Sequence, residues 1–151
     1  LELALFAGKI AAYAQGFAVM EAASKEFSWN LPMATIARIW RAGCIIRSQF
    51  LDTIASAFER NKGLSNLLLA PDFVTMMQGA TPALRHIVAR GAQEGLPLPA
   101  LSSALAFFDS YRQARGTANL IQAQRDFFGA HGFKRLDGEG DFHGPWGSGN
   151  N

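Results

Sequence analysis

The stretch that decides the fold is LFAGKIAAYAQGFAVMEAASKEF, residues 5–27. Its large apolar residues recur every three or four positions, which is the spacing of one face of an α-helix. Small residues fill much of the remainder, and small side chains let neighbouring helices approach closely. The stretch therefore predicts a central helix that is touched on several sides. The large apolar residues are Phe6, Ile10, Tyr13, Phe17, Met20 and Phe27.

The remainder of the chain repeats this helical pattern. Asn30-Leu31-Pro32 ends the first helix, and Pro32 suits the first turn of the next one. Four further helical segments follow between residues 46 and 131. Alternating strands are absent, so a Rossmann-type sheet cannot be built from these residues. We therefore predict an all-α, multi-helix domain over residues 1–131, followed by an extended glycine-rich C-terminal tail over residues 132–151.

A proline and the tail are exceptions to the regular helical pattern. Pro82 lies inside the helical segment that begins at Pro71, and a proline there removes a backbone hydrogen bond and clashes with the preceding turn. We expect this helix to be kinked or split near residues 80–81. In the tail, residues 133–136 are compatible with a short strand. The tail aromatics need a surface to bury against, which belongs either to this subunit or to another.

Composition narrows the classes of function. The chain has 151 residues, of which 49% are hydrophobic and 17% charged, with 12 Phe and 3 Trp. So much apolar surface favours an oligomer or an obligate partner. The net charge is only +2, and no basic stripe follows a helix face, so we do not expect nucleic-acid binding. Glu2, Lys9 and Gln15 interrupt the apolar N-terminal stretch, so we predict a soluble helix and no membrane association.

The chain offers little support for nucleophilic catalysis. Its single cysteine, Cys44, excludes an intramolecular disulfide framework and indicates a reducing compartment. Because Cys44 lies in an apolar run, we interpret it as a small buried hydrophobe. Ser102 and Ser103 lie near a helix start, where serine commonly caps the helix, and no neighbouring histidine can act as a base. The sequence also contains neither a GxGxxG motif after a strand nor a P-loop, which are the glycine-rich patterns that bind nucleotides.

The segment NLIQAQRDFFGAH, residues 119–131, carries the candidate site. It reads as a short amphipathic helix ending at Gly129, and we expect its apolar residues Ile121, Phe127 and Phe128 to anchor it in a core. Arg125 and His131 are then left near the helix end, where a turn after the glycine can bring them together. A guanidinium and an imidazole suit a phosphate or carboxylate ligand. The alternative is that Arg125 pairs with a surface acid, such as Asp126 or Glu139, while His131 only caps main-chain carbonyl groups.

Two other groups of side chains are candidate sites. The tail residues His131, Asp137, Asp141 and His143 match no metal-ligand spacing, so we predict no metal site. Three arginines, Arg38, Arg41 and Arg47, bracket a turn and suggest an anion-binding corner. The favoured alternative is a solvated helix edge on which they pair with Asp52 or Glu59.

The segment at 119–131, followed by FKRLD (133–137) and FHGPW (142–146), resembles the C-terminal signature of the 6-phosphogluconate dehydrogenase family. The resemblance extends upstream through IWRAGCIIRSQFL (39–51), NLLLAPDF (66–73) and ALAFFDSYR (104–112). It implies the helical domain and tail of an NADP-linked, decarboxylating enzyme of the pentose phosphate pathway and gluconate utilization, located in the cytoplasm. Family tails often read HTY where this chain has His131-Gly132-Phe133.

The resemblance also implies how the segment works. Family members are homodimers whose tails insert into the other subunit, and the signature arginine and histidine bind the phosphate of 6-phosphogluconate across the interface. These two residues correspond to Arg125 and His131. The family's catalytic residues and its NADP-binding Rossmann domain are expected upstream of Leu1, so the chain alone is predicted to be inactive. The alternative is a stand-alone, non-catalytic helical dimerisation module.

Overall fold

The computed structural model of the chain describes residues 1–43, 48 and 50–146. Cys44, which we predicted to be buried, lies outside these ranges. Within them, the regular secondary structure is helical apart from one isolated antiparallel bridge. The prediction of an all-α fold is therefore confirmed. The helices are α1 Glu2–Glu26, α2 Met33–Gly43, α3 Phe50–Arg60, a 3-10 helix Leu67–Leu69, α4 Pro71–Gln93, α5 Pro99–Tyr111 and α6 Ala118–Gly129.

The chain forms two compact units, Leu1–Asp109 and Ser110–Asn151. We predicted that the helical domain ends at residue 131, whereas the structure groups α6 with the tail. The reason is that the buried side chain of α6, Asp126, bonds to tail residues. The assignment of residues 132–151 as a segment that packs on a partner subunit stays a prediction.

Helix α1 is the central helix of the first unit, as predicted. Its alanine-rich face is fully buried, and α1 packs chiefly against α4. Phe17 is 1% exposed, and its ring lies 5.4 Å from that of Trp40 in α2 and 5.2 Å from that of Phe58 in α3. Gly8 lets α5 approach closely, because a Cβ at this position would meet Leu101 at 2.8 Å. Helices α2, α3, α4 and α5 thus pack around α1 in one core.

The apolar character of α1 has a structural explanation in this packing. By length and composition alone, α1 is long and apolar enough to cross a membrane. The core helix of a folded domain meets the same criterion, and 39% of the apolar stretch is buried inside the chain. Residues such as Ala7, Ile10 and Ala14 are completely buried against neighbouring helices. Burial within the unit accounts for the composition of this face.

Helix α4 runs continuously from Pro71 to Gln93 through Pro82, so a helix split near residues 80–81 is wrong, while the alternative of a kink there stays a prediction. A proline in a helix interior costs about 3 kcal/mol or more. Burial of the residues around it offsets this cost: Thr81 is 7% exposed and Leu84 is fully buried. The Thr81 hydroxyl also donates a hydrogen bond to the carbonyl oxygen of Met77, at 2.6 Å. Tertiary packing therefore overrides the local preference of the proline.

Helix α6 exposes the apolar residues that we expected to anchor it in a core. Ile121 is 56% exposed, Phe127 58% and Phe128 76%, so that expectation is wrong. The residue of α6 that is buried is Asp126, at 2% exposure. The inward side of α6 is thus held by hydrogen bonds to the carboxylate of Asp126. The apolar side of α6 lies on the surface of the chain.

The predicted tail strand contracts to a single pair of residues. The Phe133 amide donates to the Phe142 carbonyl oxygen at 2.9 Å, and the Phe142 amide donates to the Phe133 carbonyl oxygen at 3.0 Å. Beyond this bridge the chain forms a loop, across which Lys134 pairs with Asp141 at 2.8 Å. A strand over residues 133–136 is therefore wrong, because the chain leaves the bridge to form this loop. Residues 147–151 of the predicted tail lie outside the described part of the chain.

Candidate anion-binding site

Helix α6 ends in a turn that returns the chain towards the helix. Gly129 is its last residue, as the sequence predicted, and Ala130 adopts a left-handed conformation with φ 49° and ψ 37°. The Ala130 amide donates to the carbonyl oxygen of Asp126 at 2.8 Å and closes the last turn. A left-handed conformation is unfavourable for alanine. The turn therefore needs support from the structure around it.

The side chain of Asp126 supplies this support. One carboxylate oxygen accepts hydrogen bonds from the Gly132 amide at 2.8 Å and from Nδ1 of His143 at 2.6 Å. The other oxygen accepts hydrogen bonds from the Gly144 amide at 2.8 Å and from the indole N–H of Trp146 at 2.5 Å. All four donors belong to the tail. A single carboxylate therefore ties residues 132–146 to α6.

These hydrogen bonds keep the buried carboxylate ionised. Burial by itself raises the pKa of a carboxyl group, but the bonds from the tail outweigh it and hold the pKa of Asp126 well below its usual range. The resulting stabilisation is fully present above the pKa of an unfolded aspartate, about 4, and is lost as the pH falls through the lower folded-state pKa. At neutral pH the tail is thus bonded to an anion.

The structure brings the two predicted anion ligands, Arg125 and His131, into one surface pocket. The pocket has a volume of about 260 Å³ and is also lined by Gln124, Phe128 and Gly129. His131 reaches it by lying over Gly129, where an added Cβ would meet the imidazole Nε2 at 2.7 Å. On a continuous helix, residues six positions apart would face different directions. The turn after Gly129 is what brings the two side chains together.

Arg125 is available for an anionic ligand. Its guanidinium donates to the neutral side chain of Gln122 at 3.3 Å. Among the described residues Arg125 forms no ion pair, so its predicted alternative pairing with Asp126 or Glu139 does not hold in this part of the chain. The carboxylate of Asp126, although adjacent in sequence, is fully used by the tail. Within the described part of the chain, the guanidinium fork is therefore free of a competing carboxylate.

The arginine corner of α2 is explained by ion pairs on the helix surface. Arg38 pairs with Glu59 at 2.5 Å, and Arg41 pairs with Asp52 at 2.9 Å. For these two arginines the prediction of a solvated helix edge is confirmed. Arg47 lies outside the described residues, and its pairing stays a prediction.

Of the four candidate metal ligands, Asp137, Asp141 and His143 have other partners. The hydrogen bond from Arg135 to Asp137 lowers the pKa of Asp137 to about 2. Asp141 pairs with Lys134, and His143 bonds the buried carboxylate described above. In residues 1–43, 48 and 50–146, no group of three or more His, Cys, Asp and Glu side chains is placed to hold a metal ion.

Sequence reasoning missed the residues that organise this site. From the sequence, we considered Asp126 only as a possible partner of Arg125, and His143 only as a candidate metal ligand. The bonds that Asp126 makes span 6, 17, 18 and 20 residues of chain. No local pattern signals a carboxylate with partners so distant in sequence. The one available clue is that a tail rich in donors follows an aspartate on an amphipathic helix.

The chain is similar to known proteins over almost its whole length. The family model described as 6-phosphogluconate dehydrogenase, C-terminal domain, matches residues 1–146. The proteins named 6-phosphogluconate dehydrogenase, decarboxylating, from Klebsiella pneumoniae and from Escherichia coli (strain K12) are 54% identical to it over 143 residues. The protein of that name from Staphylococcus aureus (strain N315) is 53% identical. Each alignment covers 95% of this chain and 31% of the relative.

A solved structure has the same fold. The Plasmodium falciparum 6-phosphogluconate dehydrogenase, described in its apo form and in complex with NADP+ and with 6-phosphogluconate, matches with a TM-score of 0.88 and 42% identity. That match covers 95% of this chain and 31% of the Plasmodium chain. The chain thus spans 31% of the length of the relatives that it matches. Because the family model matches all but the last five residues, the chain belongs to the 6-phosphogluconate dehydrogenase C-terminal domain family.

Proposed function

We propose that this chain is the helical, substrate-phosphate-binding part of an NADP-dependent, decarboxylating 6-phosphogluconate dehydrogenase. The observation that carries the proposal is that Arg125 and His131 line one pocket, in a chain 54% identical to proteins of that name. In the proposed reaction, 6-phosphogluconate is oxidised at its 3-hydroxyl and then loses carbon dioxide through an enediol to give ribulose 5-phosphate.

The pocket has the chemistry that a phosphate group requires. The guanidinium of Arg125 presents a planar set of donors to two phosphate oxygens, and the imidazole of His131 adds a further donor. The phosphate lies at the end of the substrate opposite to the carboxylate that is lost. Its binding therefore orients the substrate, because interactions with a remote group hold the reacting carbons in place.

We place the cofactor and the catalytic groups of the proposed enzyme outside this chain. The described residues form no β-sheet, and a Rossmann dinucleotide site is built on one. NADP+, when bound, accepts the hydride from the substrate. In this division of roles, the chain contributes binding and orientation of the substrate, and the remainder of the enzyme contributes the acid–base groups.

The exposed face of α6 supports a homodimer. Leu120 is 79% exposed and Phe128 76%, and Ile121 and Phe127 are also exposed. Soluble monomers rarely expose large contiguous apolar patches. We propose that a second copy of the protein covers this face, that the tails are exchanged, and that Arg125 and His131 complete the partner's active site. A cytoplasmic location goes with this metabolic role.

The activity itself is the test of this proposal. We expect the full-length protein that contains this chain to form NADPH and carbon dioxide from 6-phosphogluconate and NADP+, measured by absorbance at the nicotinamide band. The 151-residue chain alone should form none, because its described residues form no β-sheet on which a dinucleotide site is built. A full-length protein that is folded and dimeric yet inactive would favour the alternative, a non-catalytic dimerisation module.

We expect Gly129→Ala to disturb the pocket without harming the fold. The new methyl group would occupy the space of the His131 ring, so the Michaelis constant for 6-phosphogluconate should rise several-fold in the full-length protein. Alanine is favoured over glycine in helices by about 1 kcal/mol, so the thermal stability should be equal or higher. The control is Gly79→Ala in α4, where an added Cβ meets nothing within 4 Å. Equal Michaelis constants for both variants would contradict the prediction.

A further inference from the structure

We propose that Asp126 is a positioning residue for the anion pocket: it holds the tail so that His131 lies beside Arg125. The effect on substrate binding rests on the proposed function above, whereas the positioning is a property of the fold. Asp126 touches neither the pocket nor, in this proposal, the substrate. It acts through the segment that carries His131.

Asp126 holds the chain on both sides of His131. Its main-chain carbonyl accepts the amide of Ala130 at 2.8 Å, and its carboxylate accepts the amide of Gly132 at 2.8 Å. His131 is therefore the one residue between two amides that are bonded to the same aspartate. This arrangement keeps Ala130 in its left-handed conformation, and it fixes where the His131 side chain leaves the backbone.

Arg125 and Asp126 are neighbours that face opposite environments. Arg125 is exposed and lines the pocket, while Asp126 is 2% exposed and faces the tail. Because both side chains leave the same turn of α6, the position of one relative to the other is set by the helix. A tail bonded to Asp126 is thus placed at a defined distance from Arg125. Because the helix is rigid, the hydrogen bonds between Asp126 and the tail also fix how the pocket residues are aligned.

The second carboxylate oxygen of Asp126 holds the C-terminal part of the described tail. It accepts the Gly144 amide and the indole of Trp146, while the Phe133–Phe142 bridge joins the two halves of the segment between these anchor points. An asparagine at position 126 would keep the shape of the side chain, but its amide nitrogen would face two of the four donors. Asp126→Asn should therefore release one end of the tail.

The experiment uses the full-length protein labelled with 5-fluorotryptophan, with the Trp146 resonance assigned by Trp146→Phe. We expect Asp126→Asn to shift the Trp146 fluorine signal and to raise the Michaelis constant for 6-phosphogluconate about tenfold or more, since small misplacements of binding groups are costly. The turnover number should change less than about twofold, because the reacting groups lie elsewhere. Asp126→Glu, which keeps the carboxylate, should give an intermediate Michaelis constant.

The matched control is Asp137→Asn, which removes an exposed carboxylate from the same tail. It should leave both the Trp146 signal and the Michaelis constant unchanged. Where Arg125→Ala raises the Michaelis constant, the proposal is overturned if Asp126→Asn leaves that constant at its original value, whether or not the Trp146 signal moves. It is also overturned if Asp137→Asn has an equal effect. If Arg125→Ala has no effect on the Michaelis constant, the proposed function fails instead, and the Trp146 signal alone decides the positioning, which is overturned if Asp126→Asn leaves that signal unchanged.

Discussion

Arg125→Ala should raise the Michaelis constant for 6-phosphogluconate by about 100-fold in the full-length protein, because loss of a charge-assisted, bidentate contact costs about 2–5 kcal/mol. The pocket holds no described carboxylate that pairs with Arg125, so the guanidinium is free to bind the phosphate. The Michaelis constant for NADP+ should stay nearly the same, since the dinucleotide is proposed to bind outside this chain. Steady-state kinetics with each substrate varied in turn measures both values.

Two variants sharpen this result. Arg125→Lys keeps the positive charge but loses the planar fork, so its Michaelis constant should lie between those of the wild type and Arg125→Ala. Arg90→Ala removes an exposed arginine of α4 that pairs with Glu94, and it should leave the kinetics unchanged. An Arg125→Ala variant with the wild-type Michaelis constant for 6-phosphogluconate would rule out the phosphate-binding role.

Phe17→Ala should lower the free energy of unfolding of the helical part by about 3–5 kcal/mol, which is the usual cost of truncating a buried phenylalanine. The ring is 1% exposed and lies within 5.4 Å of the rings of Trp40 and Phe58, so its removal leaves a cavity where three helices meet. Aromatic pairs add about 0.5–1.5 kcal/mol beyond the area that they bury. Urea denaturation of the full-length protein, followed by far-ultraviolet circular dichroism, measures the change.

The control for this prediction lies two residues away, on another side of the same helix. Val19 is 64% exposed, and Val19→Ala should change the stability by about 0.5 kcal/mol or less, as surface substitutions usually do. Because domains are only marginally stable, by about 5–15 kcal/mol, the difference between the two variants should be large. Similar denaturation midpoints for both would show that α1 is not the centre of the core.

The helical part of the fold could be predicted because its signals are local. In α1 the apolar spacing and the alanines already describe a helix packed on several sides, and the boundaries of Glu2–Glu26 differ little from the predicted stretch. The prediction was wrong where tertiary packing opposed a local sequence preference. Pro82 indicates a break, but the buried residues around it hold α4 together.

The residues of the candidate site could be predicted from the sequence, but the contacts that hold them in place could not. Arg125, Gly129 and His131 stand out in the sequence because a helix, a glycine and a histidine follow one another. That their side chains share a pocket depends on the left-handed turn at Ala130. This turn is held in place by Asp126, whose carboxylate partners are Gly132 and three residues of the segment 143–146. Its role could not be inferred from any short window of the chain.

By itself, then, the sequence determined the helices, the family signature and the two candidate phosphate ligands, since periodicity and motif are properties of neighbouring residues. Tertiary structure alone decided which faces are buried. It exposed Phe127 and Phe128, and it enclosed Asp126. The physical reason is that a buried carboxylate is tolerated only where enough donors surround it, and these donors arrive only once residues 132–146 have folded back onto α6.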